Sequence, residues 1–496
     1  MKVDKFYRDS LILTISNLVT GIIGFVFSII LSKQLGPEGL GLYGLIMPVY
    51  GLLLCLTSDG LITAVSRISA VYESGKDFRN LNRTFTTISA FILMWSLAVA
   101  FLVYINSSNI GSYIIRDSRT SDALKVICPA LIFVPLSAIL KGYFYGVGRF
   151  KTAAVIDIVE KIFRIAVFVG TIRLLSLHDI KSTVTSAYFA LTIGELTSFL
   201  LLFTVNRMVR RKAVSLKYKS QNRLQLLFNV LVISLPLCLN GFISSILSTA
   251  STLLLPRRLV FAGLQYDSAL SLIGKFSGMA MNITFLPIII VGSMMTVLIP
   301  DLSLSLSRKD AWAAESRVYQ VLKISYLVGI STLIVSLTVP DLLGMLFYGR
   351  DDLGGFIKFA AVCCFFNYAA SPSFGILNGL GKQNINLRNS LVVSVLGLVL
   401  IYLLAGIPDL NIYGYGITLI ITSLTALAIN IREIKKVCDF RLPLSEVITY
   451  AVVGGISYLL LQLLNWVLPD SLPVLRAVLI VISGFILVFF LSDLTQ

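Results

Sequence analysis

Charge is scarce in this chain. Asp, Glu, Lys and Arg make up 13% of its 496 residues, where soluble domains carry roughly 25%. Too little polar surface remains to coat a soluble particle of this size. Histidine occurs once, as His178, in a predicted outer loop, and no H-E-x-x-H or C-x-x-C pattern occurs. Histidine-based catalysis and the common zinc sites therefore have no visible residues. The cysteines (Cys55, Cys128, Cys238, Cys363, Cys364, Cys438) lie in or beside apolar runs without framework spacing. They read as small hydrophobes rather than disulfides or metal ligands. Gly75-Lys76, Gly274-Lys275 and Gly381-Lys382 do not continue to Ser or Thr, so no phosphate-binding P-loop is visible. Without a soluble domain there is no basic patch for nucleic acid. The chain is expected to be no enzyme, with no cofactor, no metal and no nucleic-acid partner.

Hydrophobicity is what the sequence has instead. Apolar residues make up 56%, arranged in runs of about 20 or more, enough to cross a bilayer. A β-barrel would alternate with period two in segments of about ten, and these runs do not. The expected fold is an all-α polytopic membrane protein with about fourteen transmembrane helices. The first run, near residue 10, is too long for a signal sequence and reads as a retained helix.

Cations gather in alternate loops, among them Lys2, Lys5 and Arg8, then Lys76, Arg79 and Arg83, and then Arg149 and Lys151. The stretch from Arg207 to Arg223 is the richest, and Lys382, Arg388, Arg432, Lys435 and Lys436 follow. Intervening loops hold roughly a third as many, so the positive-inside rule puts both termini in the cytoplasm. The net charge of +16 is mostly this topology signal. It needs no acidic partner beyond anionic membrane lipids.

Two segments share one glycine pattern. Gly142-Tyr143-Phe144-Tyr145-Gly146-Val147-Gly148-Arg149 and Gly375-Ile376-Leu377-Asn378-Gly379-Leu380-Gly381-Lys382 both close apolar runs, with Lys125 and Lys358 at one offset before them. The copies end spans four and ten, an even separation, so the halves are parallel repeats, a common build of transporters. The expected division is a lobe of about six helices over 1–207 and a basic cytoplasmic linker over 208–223. A second such lobe follows over 224–440, and a lipid-side hairpin over 441–496. The glycines read as close-packing or helix-ending positions. Pro48, Pro236, Pro287 and Pro300 are expected to bend their helices.

Charges inside spans are costly and tend to face a bundle interior or a wet cavity. Lys275 and Arg67 read either as fixed cations of a central, water-filled cavity or as residues snorkelling to the headgroups, and for Lys33 headgroup contact is favoured. Asp59 and Arg67, eight residues apart on a continuous helix, would share one face. Glu160, Lys161, Arg164 and Glu195 form a second cluster, read as a structural ion network. In it Glu195 would neutralise Lys161 or Arg164. Lys141 is expected near the inner headgroups, and Asp351-Asp352 in a solvated turn.

The ordered set of segments resembles one known group. It comprises Leu35-Gly36-Pro37-Glu38-Gly39-Leu40-Gly41-Leu42-Tyr43, the stretch Gly60 to Ala70, Leu140-Lys141-Gly142-Tyr143-Phe144-Tyr145-Gly146 with Glu160-Lys161-Ile162-Phe163-Arg164, and Pro256-Arg257-Arg258-Leu259. Gly274-Lys275-Phe276-Ser277-Gly278-Met279-Ala280 with Leu286-Pro287 completes it. It resembles the stage V sporulation protein B group of the multidrug/oligosaccharidyl-lipid/polysaccharide exporter superfamily, related to lipid II flippases. The resemblance implies two helical lobes around a cavity and a hairpin forming a lipid-side groove. It also implies movement of undecaprenyl-diphosphate-linked sugars from the inner to the outer leaflet, in spore-cortex peptidoglycan synthesis at the bacterial cell membrane. The implied partners are the lipid-linked oligosaccharide, membrane lipids and a coupling ion (Na+ or H+) or the membrane potential. On that resemblance Lys275, Arg67 and, more weakly, Lys33 would contact the diphosphate, and Asn17, Ser58 and Asn282 the sugar. The alternatives are a multidrug/cation antiporter of the same superfamily, using Asp59 and Glu195, or a flippase for capsule or teichoic-type precursors. A membrane glycosyltransferase would want a conspicuous acidic or basic site and a larger external domain.

Overall fold

The computed structural model describes residues 5–176, 179–209, 221–307, 310–438, 444–469 and 472–494. His178 and most of the basic linker lie outside them. All regular structure among the described residues is helical.

Helix α1 (Lys5–Ser58) has 54 residues, far more than the roughly 20 of one crossing, and is interrupted at Gly36 (φ 65°). Helix α2 (Leu61–Ser74) restarts after Gly60. Asp77 caps α3 (Phe78–Asn109) by accepting from the Asn80 amide at 3.1 Å, and α3 runs into a π-helical turn at Ile110–Ile115. Helices α4 (Ser121–Ile127) and α5 (Ala130–Gly146) meet at Pro129 with a 41° bend. Then come α6 (Phe150–Leu175), α7 (Ile180–Val209) and α8 (Arg223–Phe261). Helix α9 (Tyr266–Ile273) passes through a π-helical segment, Gly274–Ala280, into α10 (Met281–Phe285). A 60° break at Pro287 precedes α11 (Ile288–Ser307). The remaining helices are α12 (Ala311–Thr338), α13 (Pro340–Tyr348), α14 (Gly354–Gly379), α15 (Gln383–Leu404), α16 (Asn411–Lys435), α17 (Leu444–Val467) and α18 (Pro473–Leu494). By length and composition, 10 helices among the described residues can cross a membrane, or 12 if each bent pair is one span. All six cysteines are free.

The chain forms two compact units, Met1–Gly24 with Leu42–Leu253 and Phe25–Gly41 with Leu254–Gln496. In the first, α2, α3 and α7 pack on α5, and α6 on α7, around Ile88, Ile139, Phe144 and Leu202. In the second, α14 packs against α11, α12 and α16 around Leu302, Val318, Ile376 and Ile434. Helices α17 and α18 pair with each other and lie on α12. Leu459, Leu463, Ile482, Ile486 and Phe490 are exposed on this hairpin, as a lipid-facing surface requires.

The two glycine motifs fold alike. After α5, Gly148 has φ 72°, and the amides of Val147, Gly148 and Arg149 donate to the carbonyls of Tyr143, Tyr145 and Phe144 at 3.0, 3.1 and 2.8 Å. After α14, Gly381 has φ 72°, and the amides of Leu380, Gly381 and Lys382 donate to Ile376, Asn378 and Leu377 at 2.9, 3.1 and 2.9 Å. A left-handed residue that closes a helix is best served by glycine, which has no Cβ to clash. The other glycines differ. A Cβ at Gly146 would lie 2.5 Å from the Ser66 carbonyl oxygen of α2, whereas one at Gly375 would meet the Met295 side chain.

Candidate functional site

The second unit places Lys275 in the π-helical segment, a distortion often found at functional positions. Close approach fixes that segment, because a Cβ on Gly274 would collide with the Pro37 carbonyl. Lys275 Nζ reaches Asp352 Oδ2 at 2.7 Å. Arg350 forks onto the same carboxylate, Nε to Oδ1 at 2.8 Å and Nη2 to Oδ2 at 2.6 Å. The Arg350 fork, helped by Lys275 against partial desolvation, holds the Asp352 carboxyl well below the usual carboxylate range. Two cations thus share one carboxylate acceptor. Asp351 and Asp352 are exposed in a turn, as expected, and Asp352 in addition joins Lys275 and Arg350 in an ion cluster.

Lys33 is exposed in the same unit, with no ion pair among the described residues. Asn282 is committed elsewhere: its amide donates to Ser28 Oγ at 2.8 Å and to the Gly278 carbonyl. It ties the early part of α1 to α10 rather than presenting its NH2 to a ligand.

In the first unit the Asp59–Arg67 relation changes. The helix breaks at Gly60 (φ 75°), where a Cβ would lie 2.7 Å from the Ser234 carbonyl oxygen of α8. Asp59 therefore lies in the turn after α1 and Arg67 on α2, not on one continuous helical face. Asp59 is exposed, and its carboxylate fills the place where Gly241 lacks a side chain. Arg67 has no ion-pair partner among the described residues. It lines a cavity of about 600 Å³ with Tyr72, Gln221, Phe228 and Asn229. The Tyr72 hydroxyl donates to Gln221 Oε1 at 3.0 Å, and the Gln221 amide donates to Asn80 Oδ1 at 3.0 Å. Ser58 Oγ donates back to the Leu54 carbonyl at 2.9 Å, and Asn17 is exposed.

The second cluster closes into a buried network. Arg164 Nε donates to Glu160 Oε1 at 2.8 Å and Nη2 to Glu195 Oε1 at 2.9 Å, while Lys161 Nζ lies 3.4 Å from Glu160. Lys141 pairs with Asp157 at 2.6 Å, a contact absent from the sequence reading. The signal was present: residues 157, 160, 161 and 164 recur at helical spacing on one face of α6. The second unit has a neutral counterpart, in which Asn389 donates to Asn430 and Asn430 to Ser373, at 2.9 and 2.8 Å.

Residues 6–305 match the family described as polysaccharide biosynthesis protein. The chain belongs to this family. Among curated relatives in Bacillus subtilis (strain 168), stage V sporulation protein B is 24% identical over 474 residues, covering 94% of this chain and 91% of that one. Lipid II flippase MurJ of the same organism is 20% identical over 501 residues, covering 94% and 89%. The solved structure of lipid II flippase MurJ in an inward closed conformation shares the fold. Its TM-score is 0.72 at 14% identity, covering 98% of this chain and 100% of that one. The family member is thus an all-α, multi-pass membrane protein, and the resemblance to the stage V sporulation protein B group holds across the chain. The relatives' names are those of a sporulation protein and a flippase.

Proposed function

We propose that the chain moves an undecaprenyl-diphosphate-linked saccharide, a lipid II-like peptidoglycan precursor, from the inner to the outer leaflet by alternating access. We place this step in spore-cortex synthesis. The observation that carries the reading is Arg67, a guanidinium with no ion-pair partner among the described residues, on a cavity of about 600 Å³ where Tyr72, Gln221 and Asn229 stand among apolar side chains, in a polysaccharide biosynthesis family member. A diphosphate cannot enter hydrocarbon unaided, because an isolated charge there costs many kcal/mol. A guanidinium answers it with short, bidentate, charge-assisted bonds. Lys275 takes part by exchanging Asp352 for the diphosphate, and Lys33 adds a weaker contact. Asn17 and Ser58 are the remaining sugar contacts.

The same reading takes α1 as two spans parted at Gly36. It adds α6, whose charges Asp157, Glu160, Lys161 and Arg164 hide it from a hydropathy test. About fourteen crossings follow, with both termini cytoplasmic. A sodium or proton gradient or the membrane potential supplies the energy.

The test compares outer-leaflet lipid II in cells carrying wild type, Arg67→Ala or Lys275→Ala at equal expression. Loss of export in Arg67→Ala supports the assignment; unchanged export removes Arg67 from the mechanism. Asp59, an exposed carboxylate with no ion pair among the described residues, favours one second reading, a cation antiporter. Dye efflux that depends on Asp59, without lipid II export, would select it.

A further inference from the structure

Arg258, in the last turn of α8, sits in a slot built around its guanidinium. Its Cζ lies 4.4 Å from the centre of the Phe261 ring and 4.2 Å from that of Tyr402 on α15. Gly406 makes room, since a Cβ there would collide with the guanidinium. These contacts serve the faces of the cation and leave its in-plane N–H groups unused. The Nε atom is buried without a hydrogen-bond partner, and Arg258 has no carboxylate partner among the described residues. A buried donor left unpaired is costly, so an acceptor from outside the chain is called for.

The rim says what kind of molecule brings it. Phe261 is 72% exposed and Tyr402 53%, and Val260 and Leu403 beside them are exposed as well. In a membrane protein such side chains meet acyl chains, and aromatic residues favour the headgroup level. The acceptor must therefore sit on an amphiphile. A zwitterionic headgroup carries its own cation, whereas an anionic phosphodiester leaves a full charge for the guanidinium.

We propose that Arg258, Phe261, Tyr402 and Gly406 form a binding site for the phosphate of an anionic phospholipid on the second unit. The site shares no residue with the proposed Lys275 and Arg67 contacts and does not depend on the transport reading. Arg258 supplies the charge, the two rings hold it in plane, and the exposed apolar rim takes the first part of the acyl chains.

The test uses the full-length protein in detergent, titrated with phosphatidylglycerol, and counts bound lipids by native mass spectrometry. Wild type is expected to retain one more phosphatidylglycerol than Arg258→Ala, at an affinity about tenfold above phosphatidylcholine. Gly406→Ala keeps the charge but evicts it from the slot, and should lose the same lipid. Arg173→Ala, a cation elsewhere near a helix end, should lose none. If Arg258→Ala misfolds, Gly406→Ala and Tyr402→Leu decide the matter. Equal retention by Gly406→Ala and Tyr402→Leu would overturn the proposal. So would equal affinity for phosphatidylcholine, or displacement of the lipid by millimolar inorganic phosphate, which would mark a free-phosphate site.

Discussion

Three kinds of charged residue occur in this chain, and their surroundings separate their roles. Arg164 is buried between Glu160 and Glu195, with Gly194 leaving space for the Glu160 carboxylate. Arg164→Leu would strand two buried carboxylates and should cost about 3–5 kcal/mol, as one broken buried pair does. The check is the thermal unfolding of purified protein. Arg67 is the opposite case, a cation with room in front of it. Arg67→Lys retains a point charge without the bidentate fork, so its transport should fall between wild type and Arg67→Ala. Asp352 is the third case. Its carboxyl titrates lower when folded than when unfolded, so the stability it adds is complete above about pH 4 and is lost as pH falls through the lowered folded value. The difference in melting temperature between wild type and Asp352→Asn should be flat from about pH 5 to 8 and shrink only in stronger acid.

At the scale of helices, close backbone approach sets where elements can meet. Gly142 and Gly146 let α5 lie against α2, where a Cβ would stand 2.9 Å from the Ile62 carbonyl oxygen or 2.5 Å from that of Ser66. Backbone cannot swing aside, so Gly146→Ala should destabilise by about 1–3 kcal/mol, like other overpacked sites. Gly375→Ala meets the flexible Met295 thioether and should cost less. Melting curves of the two variants would rank them. The sequence revealed the glycine repeat because glycine spacing is a local property, and the matched turns at Gly148 and Gly381 are local too. The break at Gly60 was hidden, since it depends on the approach of Ser234, distant in sequence. Asp157 shows the converse: its spacing was visible, but its partner Lys141 lies on another helix.

For the whole molecule, composition and periodicity were enough to fix an all-α polytopic fold, because the bilayer leaves few alternatives. Site chemistry was less legible. Lys275 and Arg67 stood out as charges within apolar runs. That one is neutralised by Asp352 and the other is not became visible only from packing. The slot at Arg258 was masked for a similar reason, since Tyr402 and Gly406 are far along the chain. The central claim is that this member of the polysaccharide biosynthesis family carries a diphosphate-linked saccharide across the membrane with Arg67 at the headgroup. The most direct test reconstitutes the purified chain in vesicles with labelled lipid II, with and without an ion gradient, and times the arrival of label in the opposite leaflet. The account predicts transfer well above protein-free vesicles and a loss of about tenfold or more in Arg67→Ala, the scale of one charge-assisted bidentate contact. Transfer no faster than in empty vesicles under every gradient, or an Arg67→Ala rate equal to wild type, would contradict it.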